Sequence, residues 1–389
     1  MHATMWTYPW DVQDLTAERV EAELRTAGID TISLASAYHA GRFLQPRSLR
    51  RKSYYPEDGT IYFEPTPARW ADSRIRPRVA ALTREADVLR DLVRRRDEGG
   101  LRVSAWTVCL HNTRLGLLHP EAVTRNAFGD ANIFSLCPSH PDARAYVRTL
   151  VADLSATYRP DTIELESPSF MGYAHGFHHE KDGVGLLAED DFLLSLCFCP
   201  ACLARAAAAG VDGEAARSTV RRWIAEACDR AVPEPRWPDF PASGLDVLRS
   251  HPEVEAYARW RFEPVTSLLQ ELRGEAHPAT RLVLIAGDNA WLEGADLGAA
   301  SRALDGVILC AYDRSPDEVE VLLTRGRAEI GADKALGAGF RLFYPEMTAP
   351  VDVVDRVAAA GRGGADGAHF YNYGLVPQAR LDWVAAACR

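Results

Sequence analysis

Two glutamates spaced two residues apart, Glu164 and Glu166, are the residues of this chain most clearly set up for chemistry. In Thr162-Ile-Glu-Leu-Glu166 the alternation of a strand puts both carboxylates on one face and Ile163 and Leu165 on the other. An acid on the inner face of a strand costs free energy unless something hydrogen-bonds or pairs with it, so the pair needs a reason. Ser167-Pro168-Ser169 stops the run, and His175, His178, His179 and Glu180 follow it closely. A further acid, Glu346, comes late in the chain after Tyr344-Pro345. Glycosidic bond cleavage uses such a pair: one carboxyl donates a proton to the leaving oxygen, the other attacks the anomeric carbon or activates water. Glu166 is the expected acid/base and Glu346 the expected nucleophile. The competing readings are a paired structural acid for Glu166 and a plain loop carboxylate for Glu346. Glu164 lies deeper, where a supporting role suits it.

These residues need elements to hold them, and the chain supplies a regular alternation. Short apolar runs begin near Thr4, Thr31, Arg102, Thr162, Arg281, Gly306, Leu336 and Ala368. A helical pattern follows each: Thr16 to Ala27, Thr83 to Arg96, Asp142 to Tyr158, Glu253 to Ala276, Ala295 to Leu304, Pro316 to Ile330, Val351 to Ala360 and Pro377 to Cys388. Eight strand–helix pairs are the closing number of an α/β (β/α)8 TIM barrel, and alternating units imply a parallel sheet. A doubly wound open sheet would carry a Gly-rich dinucleotide loop after the first strand, and none is there. The expectation is one barrel domain over residues 1–389, with insertions at about 38–80, after strand 2, and 171–252, after strand 4. Active residues of a barrel sit at the C-terminal ends of its strands. Those ends supply Tyr8, His39, His111, Asn112, Glu164, Asp288, Asp313, Tyr371 and Asn372 as a binding ring, with His178 and His179 from the loop after strand 4. Carboxylates, amides, histidines and aromatic rings around one mouth suit a polyhydroxylated substrate such as a sugar. The segment from His175 to Lys181 admits three readings: a lid over the substrate, a divalent-metal site with His39 or His111, or a polar surface loop.

Cys197-Phe-Cys199-Pro-Ala-Cys202 is the most specific spacing in the chain. C-x-C-x2-C lets three thiolates converge on one tetrahedral ion, and a fourth ligand closes a structural zinc site. Cys137 is the natural fourth, with Cys228 and His175, His178 and His179 as alternatives. Cys109, Cys310 and Cys388 lie on apolar runs and read as core residues. Eight cysteines in 389 residues are too sparse for a disulfide scaffold; clustered thiols suggest a reducing, cytoplasmic setting. The N-terminus lacks the basic and apolar regions of a signal peptide, and no apolar run is long enough to span a bilayer. A net charge of −10 argues against nucleic acid or an anionic membrane surface as partner, because phosphate binding needs a concentrated basic face. Self-association is left open.

The order Cys137-Pro-Ser-His-Pro-Asp-Ala-Arg-Ala-Tyr-Val-Arg148, then a strand-4 glutamate, then C-x-C-x2-C, resembles family 42 glycoside hydrolases, the zinc-containing β-galactosidases of glycosidase clan A. The resemblance covers about residues 105 to 205. It implies zinc on Cys137, Cys197, Cys199 and Cys202, acid/base chemistry on Glu166 and a nucleophile at Glu346. The chain departs from the clan where Leu165 stands before Glu166 in place of Asn, so the amide that binds the sugar 2-hydroxyl is missing there. The expected function is thus cleavage of a glycosidic bond in a small-molecule or oligosaccharide substrate. A metal-dependent sugar isomerase or lyase is one alternative, and a non-catalytic carbohydrate-binding protein is the other.

Overall fold

The computed structural model describes residues 1–175 and 179–388. Eight parallel strands close into a barrel: β1 (His2–Thr7), β2 (Thr31–Tyr38), β3 (Arg102–Val108), β4 (Thr162–Glu166), β5 (Arg281–Ala286), β6 (Gly306–Cys310), β7 (Ala335–Arg341) and β8 (Gly367–Tyr371). Each strand pairs with the next in sequence. β1 also pairs with β8, which closes the ring. Strands covered by helices outside and by one another inside are buried on both faces, and β2 is buried along its whole length.

The helices begin where local chemistry starts them. Thr16 accepts from the Arg19 N–H ahead of α1 (Ala17–Thr26), and Asp87 accepts from the Arg90 N–H ahead of α2 (Val88–Asp97). Pro141 opens α3 (Pro141–Tyr158). Ser315 and Glu318 form a capping box at α4 (Pro316–Ile330). Two expected helices are broken. The segment before β3 splits into Ala81–Glu85 and α2 because Asp87 caps a new start. The segment from Glu253 to Ala276 splits at Arg261 into α5 (Pro252–Trp260) and α6 (Phe262–Glu275). Pro264 is the reason: it has no N–H to give the carbonyl of Trp260 one turn back.

The insertions and one long connection hold more order than the sequence implies. After β3, helix Thr113–Leu118 leads into a hairpin of Val123–Arg125 with Ala131–Leu136. Its turn is fixed by Asn126, whose side chain accepts from the N–H groups of Phe128 and Asp130. In the first insertion, Ser53–Tyr54 pairs with Phe43–Leu44, and Thr60–Ile61 lies antiparallel to β2. The Tyr54–Phe63 segment therefore pairs with strands on either side of it, Thr60–Ile61 also lying parallel to Arg78–Val79. The second insertion contributes helices Ala188–Ser195, Pro200–Ala208 and Gly213–Asp229.

Candidate active site

Glu164 and Glu166 both point into the barrel from β4, while Ile163 and Leu165 sit in the apolar layer between the barrel and its helices. Glu164 is fully buried. Its Oε2 accepts from the Trp6 indole N–H at 2.7 Å and from the Ser33 hydroxyl at 2.8 Å, and His369 Nδ1 lies 3.9 Å from its Oε1. Burial pushes its carboxyl up to about 7 even though these donors favour the charged form. Of the expected binding ring, Glu164 is thus a fully buried member, with Oε2 bonded to Trp6 and Ser33 below the mouth.

Glu166, one strand repeat higher, keeps partial solvent contact and accepts a short hydrogen bond from the Trp106 indole N–H. Its carboxyl is also pushed up to about 7: burial raises it most, Trp106 pulls it back, and the charge on Glu293 raises it further. It is therefore poised between acid and base near neutrality, with one wall of the mouth still open to it.

Aromatic residues build that wall. Tyr8 stacks on Trp10 at 4.4 Å, and its hydroxyl lies 2.6 Å from Tyr371 and 3.0 Å from Tyr38. The Trp106 ring that meets Glu166 stands edge-on to Tyr38 at 4.9 Å and to Tyr371 at 5.9 Å. Tyr8 is fully buried, and its hydroxyl joins those of Tyr38 and Tyr371 in one cluster. Asn372 is fully buried and its Oδ1 accepts from Gly374 N–H. Asn112 is an N-cap: its Oδ1 accepts from Leu115 N–H at 2.9 Å and its amide donates to Gly59 O at 3.3 Å. Gly59, at φ +58, leaves no room for a Cβ, which would stand 2.0 Å from that Oδ1. Tyr8, Asn112 and Asn372, all expected in the binding ring, are thus buried and hydrogen-bonded within the protein.

The histidines are brought together. His39 and His111 stack at 4.3 Å, and His175, from the loop after β4, meets the edge of His111 at 4.8 Å. Burial lowers all three, His111 to about 2, so at neutral pH they form a neutral aromatic wall. His179 is exposed, and His178 lies outside the described residues.

Glu346 and its neighbours form a different group. Its Oε1 accepts from Asp313 N–H at 2.9 Å, its Oε2 pairs with Arg341 at 3.0 Å, and its side chain is 2% exposed. Arg341 also pairs with Asp313, and Arg314 with Asp288. Both Glu346 oxygens are therefore committed at the end of β7. Among the described residues, the carboxylate whose charge acts on Glu166 is instead Glu293. Glu293 closes the short helical turn Ala290–Glu293 beyond β5 and accepts from the Ser169 hydroxyl at 2.9 Å; desolvation of its carboxyl, only partly offset by that hydroxyl and by Arg261, raises its pKa. Asp191, whose Oδ1 accepts from Ala174 N–H at 2.6 Å, adds a third acid whose charge reaches Glu293. Neither acid stands out in sequence. Glu293 lies seven residues past the apolar run, in a turn that strand-end reading does not reach.

The four cysteines converge. Cys137 Sγ lies 3.9 Å from Cys197, 3.6 Å from Cys199 and 3.5 Å from Cys202, and all four are buried. A tetrahedral ion with metal–sulfur bonds of about 2.3 Å separates its ligands by roughly 3.8 Å, so the spacing fits a tetrathiolate metal site. Cys228 is exposed and outside the cluster. Helix Pro200–Ala208 starts at Cys199, and the Arg144 guanidinium ties the Cys137 loop to α6 through the carbonyls of Pro138 and Pro264, both at 2.8 Å.

No protein-family model and no curated protein matches the chain. Solved structures do match, at low identity. The glycoside hydrolase domain of PgaB (BpsB) from Bordetella bronchiseptica aligns with a TM-score of 0.55 at 13% identity, over 100% of this chain and 99% of that one. The catalytic domain of β-amylase from Paenibacillus polymyxa aligns with a TM-score of 0.56 at 10% identity, over 100% and 98%. The C-terminal domain of a chitinase-like protein from Desulfitobacterium hafniense aligns at 0.50 and 10% identity, over 100% and 99%. These likenesses extend over the whole chain, and the chain shares its barrel fold with these three structures.

Proposed function

We propose that the chain cleaves a glycosidic bond, with Glu166 as the general acid. The observation that carries this reading is a carboxyl at the C-terminal end of β4, raised to about 7, partly open to solvent and bonded to Trp106, whose ring packs against Tyr38 and Tyr371. A carboxyl of this kind is protonated in a large fraction of molecules at neutral pH, as a proton donor to a leaving alkoxide must be. Once the proton is given up, the Trp106 N–H stabilises the carboxylate that remains. The aromatic and neutral imidazole walls offer faces to the C–H side of a sugar ring. The names of the fold neighbours, a chitinase-like protein, a β-amylase and a glycoside hydrolase domain, point the same way.

The second carboxyl in this reading is Glu293, which is accessible and senses Glu166, in preference to the engaged Glu346. The mouth favours a hydrolase over a metal-dependent isomerase or lyase: among the described residues, the only His, Cys, Asp or Glu side chains that converge as ligands are the four cysteines. Those cysteines are proposed to hold zinc, as the family 42 resemblance implies. Such an ion would staple the second insertion to the loop after β3 and take no part in the reaction. The test is Glu166→Gln on a panel of aryl glycosides and oligosaccharides. Lost turnover with retained sugar binding, read by calorimetry, is the expected result. No turnover by the unaltered protein on any member, with binding intact, would instead make this a carbohydrate-binding protein.

A further inference from the structure

The interior of an eight-stranded α/β barrel is ordinarily filled by layers of branched apolar side chains. Here the lowest positions carry Thr4, Thr31, Ser104 and Thr162, with glycine at 337 and 367, and a cavity of about 90 Å³ lies among them. One water needs roughly 10–15 Å³ of such space and two to four polar partners, so the cavity has room for several and hydroxyls to hold them. It begins at the N-terminal ends of the strands, on the face away from the mouth, where His2, Arg102, Asp161, Arg281 and Asp366 rim it. Three of those charges are matched: Arg102 pairs with Asp30 at 2.7 Å, Asp161 with Arg96 at 3.4 Å and Asp366 with Arg327 at 2.7 Å. Arg281 donates to the Thr162 hydroxyl at 3.3 Å. The titratable groups at the buried end of the cavity are Glu164 and His369.

His369 is placed to join the cavity to the acid. Its ring packs against Trp6 at 5.5 Å and lies over Gly337, where a Cβ would stand 2.7 Å from Nε2. Its Nδ1 is buried with no hydrogen-bond partner, 3.9 Å from Glu164 Oε1. The other oxygen of Glu164 is the one held by Trp6 and Ser33. An imidazole takes a proton on one nitrogen and releases one from the other, which makes it a natural shuttle.

We propose that the floor cavity holds a row of water molecules and that His369 passes protons between them and Glu164, so that the acid below the mouth exchanges with solvent through the opposite face of the barrel. A proton enters Nε2 from a hydronium in the cavity as another leaves Nδ1 for Glu164 Oε1. The carboxylate becomes a carboxylic acid, the hydronium becomes water, and the ring stays neutral in its other tautomer; the reverse steps return the proton. A small movement of the ring closes the 3.9 Å gap to hydrogen-bonding distance. Glu164 then follows the solvent pH even when the mouth is filled.

The test is a rapid-mixing jump from pH 8 to pH 5, across the Glu164 pKa of about 7, followed by the infrared band of the protonated carboxyl. The Glu164 band is the one missing from Glu164→Gln. His369→Phe removes both ring nitrogens at similar size. Gly367→Leu fills the cavity, since a Cβ there stands 3.4 Å from His2 O and 3.6 Å from His369 Nε2, both ordinary contacts. In the unaltered protein the band should rise within the mixing time. In both variants it should rise at least about tenfold more slowly, because the proton must await local opening of the barrel. Lost stability alone would speed the rise by making opening more frequent, so slowing reports the path itself. Should Gly367→Leu fail to fold, Ser104→Val narrows the cavity from β3 in its place. A rise in His369→Phe at the unaltered rate would overturn the relay, and one in the filled variant would overturn the floor route. A slow rise in the unaltered protein would show a sealed acid and overturn both. Turnover is not read, so the outcome stands apart from the glycosidase reading.

Discussion

At Glu166, desolvation and hydrogen bonding act in opposite directions, and desolvation wins. The Trp106 N–H favours the carboxylate, so Trp106→Phe should raise the Glu166 pKa and move the basic limb of the kcat/KM profile to higher pH. Unaltered protein should lose activity as pH rises through about 7, where the acid form is depleted. Glu293→Gln removes the charge that disfavours ionised Glu166. The Glu166 pKa, followed by NMR titration because Glu293 is itself the proposed second carboxyl, should then fall, while Glu346→Gln should leave it in place because Glu346 is held by Arg341 and Asp313 N–H. Glu166 was legible because strand alternation alone points it inward. Glu293 was not, because its place depends on how a turn folds back beyond β5, where no periodic pattern reports it.

At the scale of elements, the cysteine-bearing helix and its loop carry the clearest expectation. Cys199→Ala removes one proposed ligand and the helix N-cap at Pro200–Ala208 together. The expected outcome is loss of bound zinc and a melting temperature several degrees lower, measured by metal analysis and calorimetry. An unchanged melting temperature in zinc-free protein would mean that the cluster does not staple the insertion. The spacing Cys197-Phe-Cys199-Pro-Ala-Cys202 made three members legible, because it brings thiols together at short range whatever the fold does. The order of strands and helices was legible for the same local reasons: alternation, caps and prolines. What local pattern could not give were the hairpin after β3 and the pairing of Thr60–Ile61 with β2, since both depend on partners distant in sequence. The break at Arg261 was readable from Pro264.

At the scale of the whole molecule, the barrel interior carries a buried acid beneath its mouth. Glu164 binds its proton more tightly folded, at about 7, than unfolded, near 4.5. Its contribution to stability is therefore complete below about pH 4.5 and is lost as pH rises toward 7, where burying the charge begins to cost up to roughly 3 kcal/mol. Glu164→Gln keeps an acceptor for Trp6 and Ser33 without that charge, so the variant should be more stable than the unaltered protein at pH 8 and no more stable at pH 4, by denaturant unfolding at each pH. The barrel thus holds two inward acids of similar pKa, the lower fully buried and the upper proposed as the general acid. That division is tested most directly by the leaving-group dependence of Glu166→Gln turnover. If Glu166 gives its proton to the departing oxygen, the variant should lose 10²–10⁴-fold in kcat on glycosides with poor, basic leaving groups. It should lose little on those whose leaving group needs no protonation, such as dinitrophenol. An equal loss across all leaving groups, or none on any, would contradict Glu166 as the general acid.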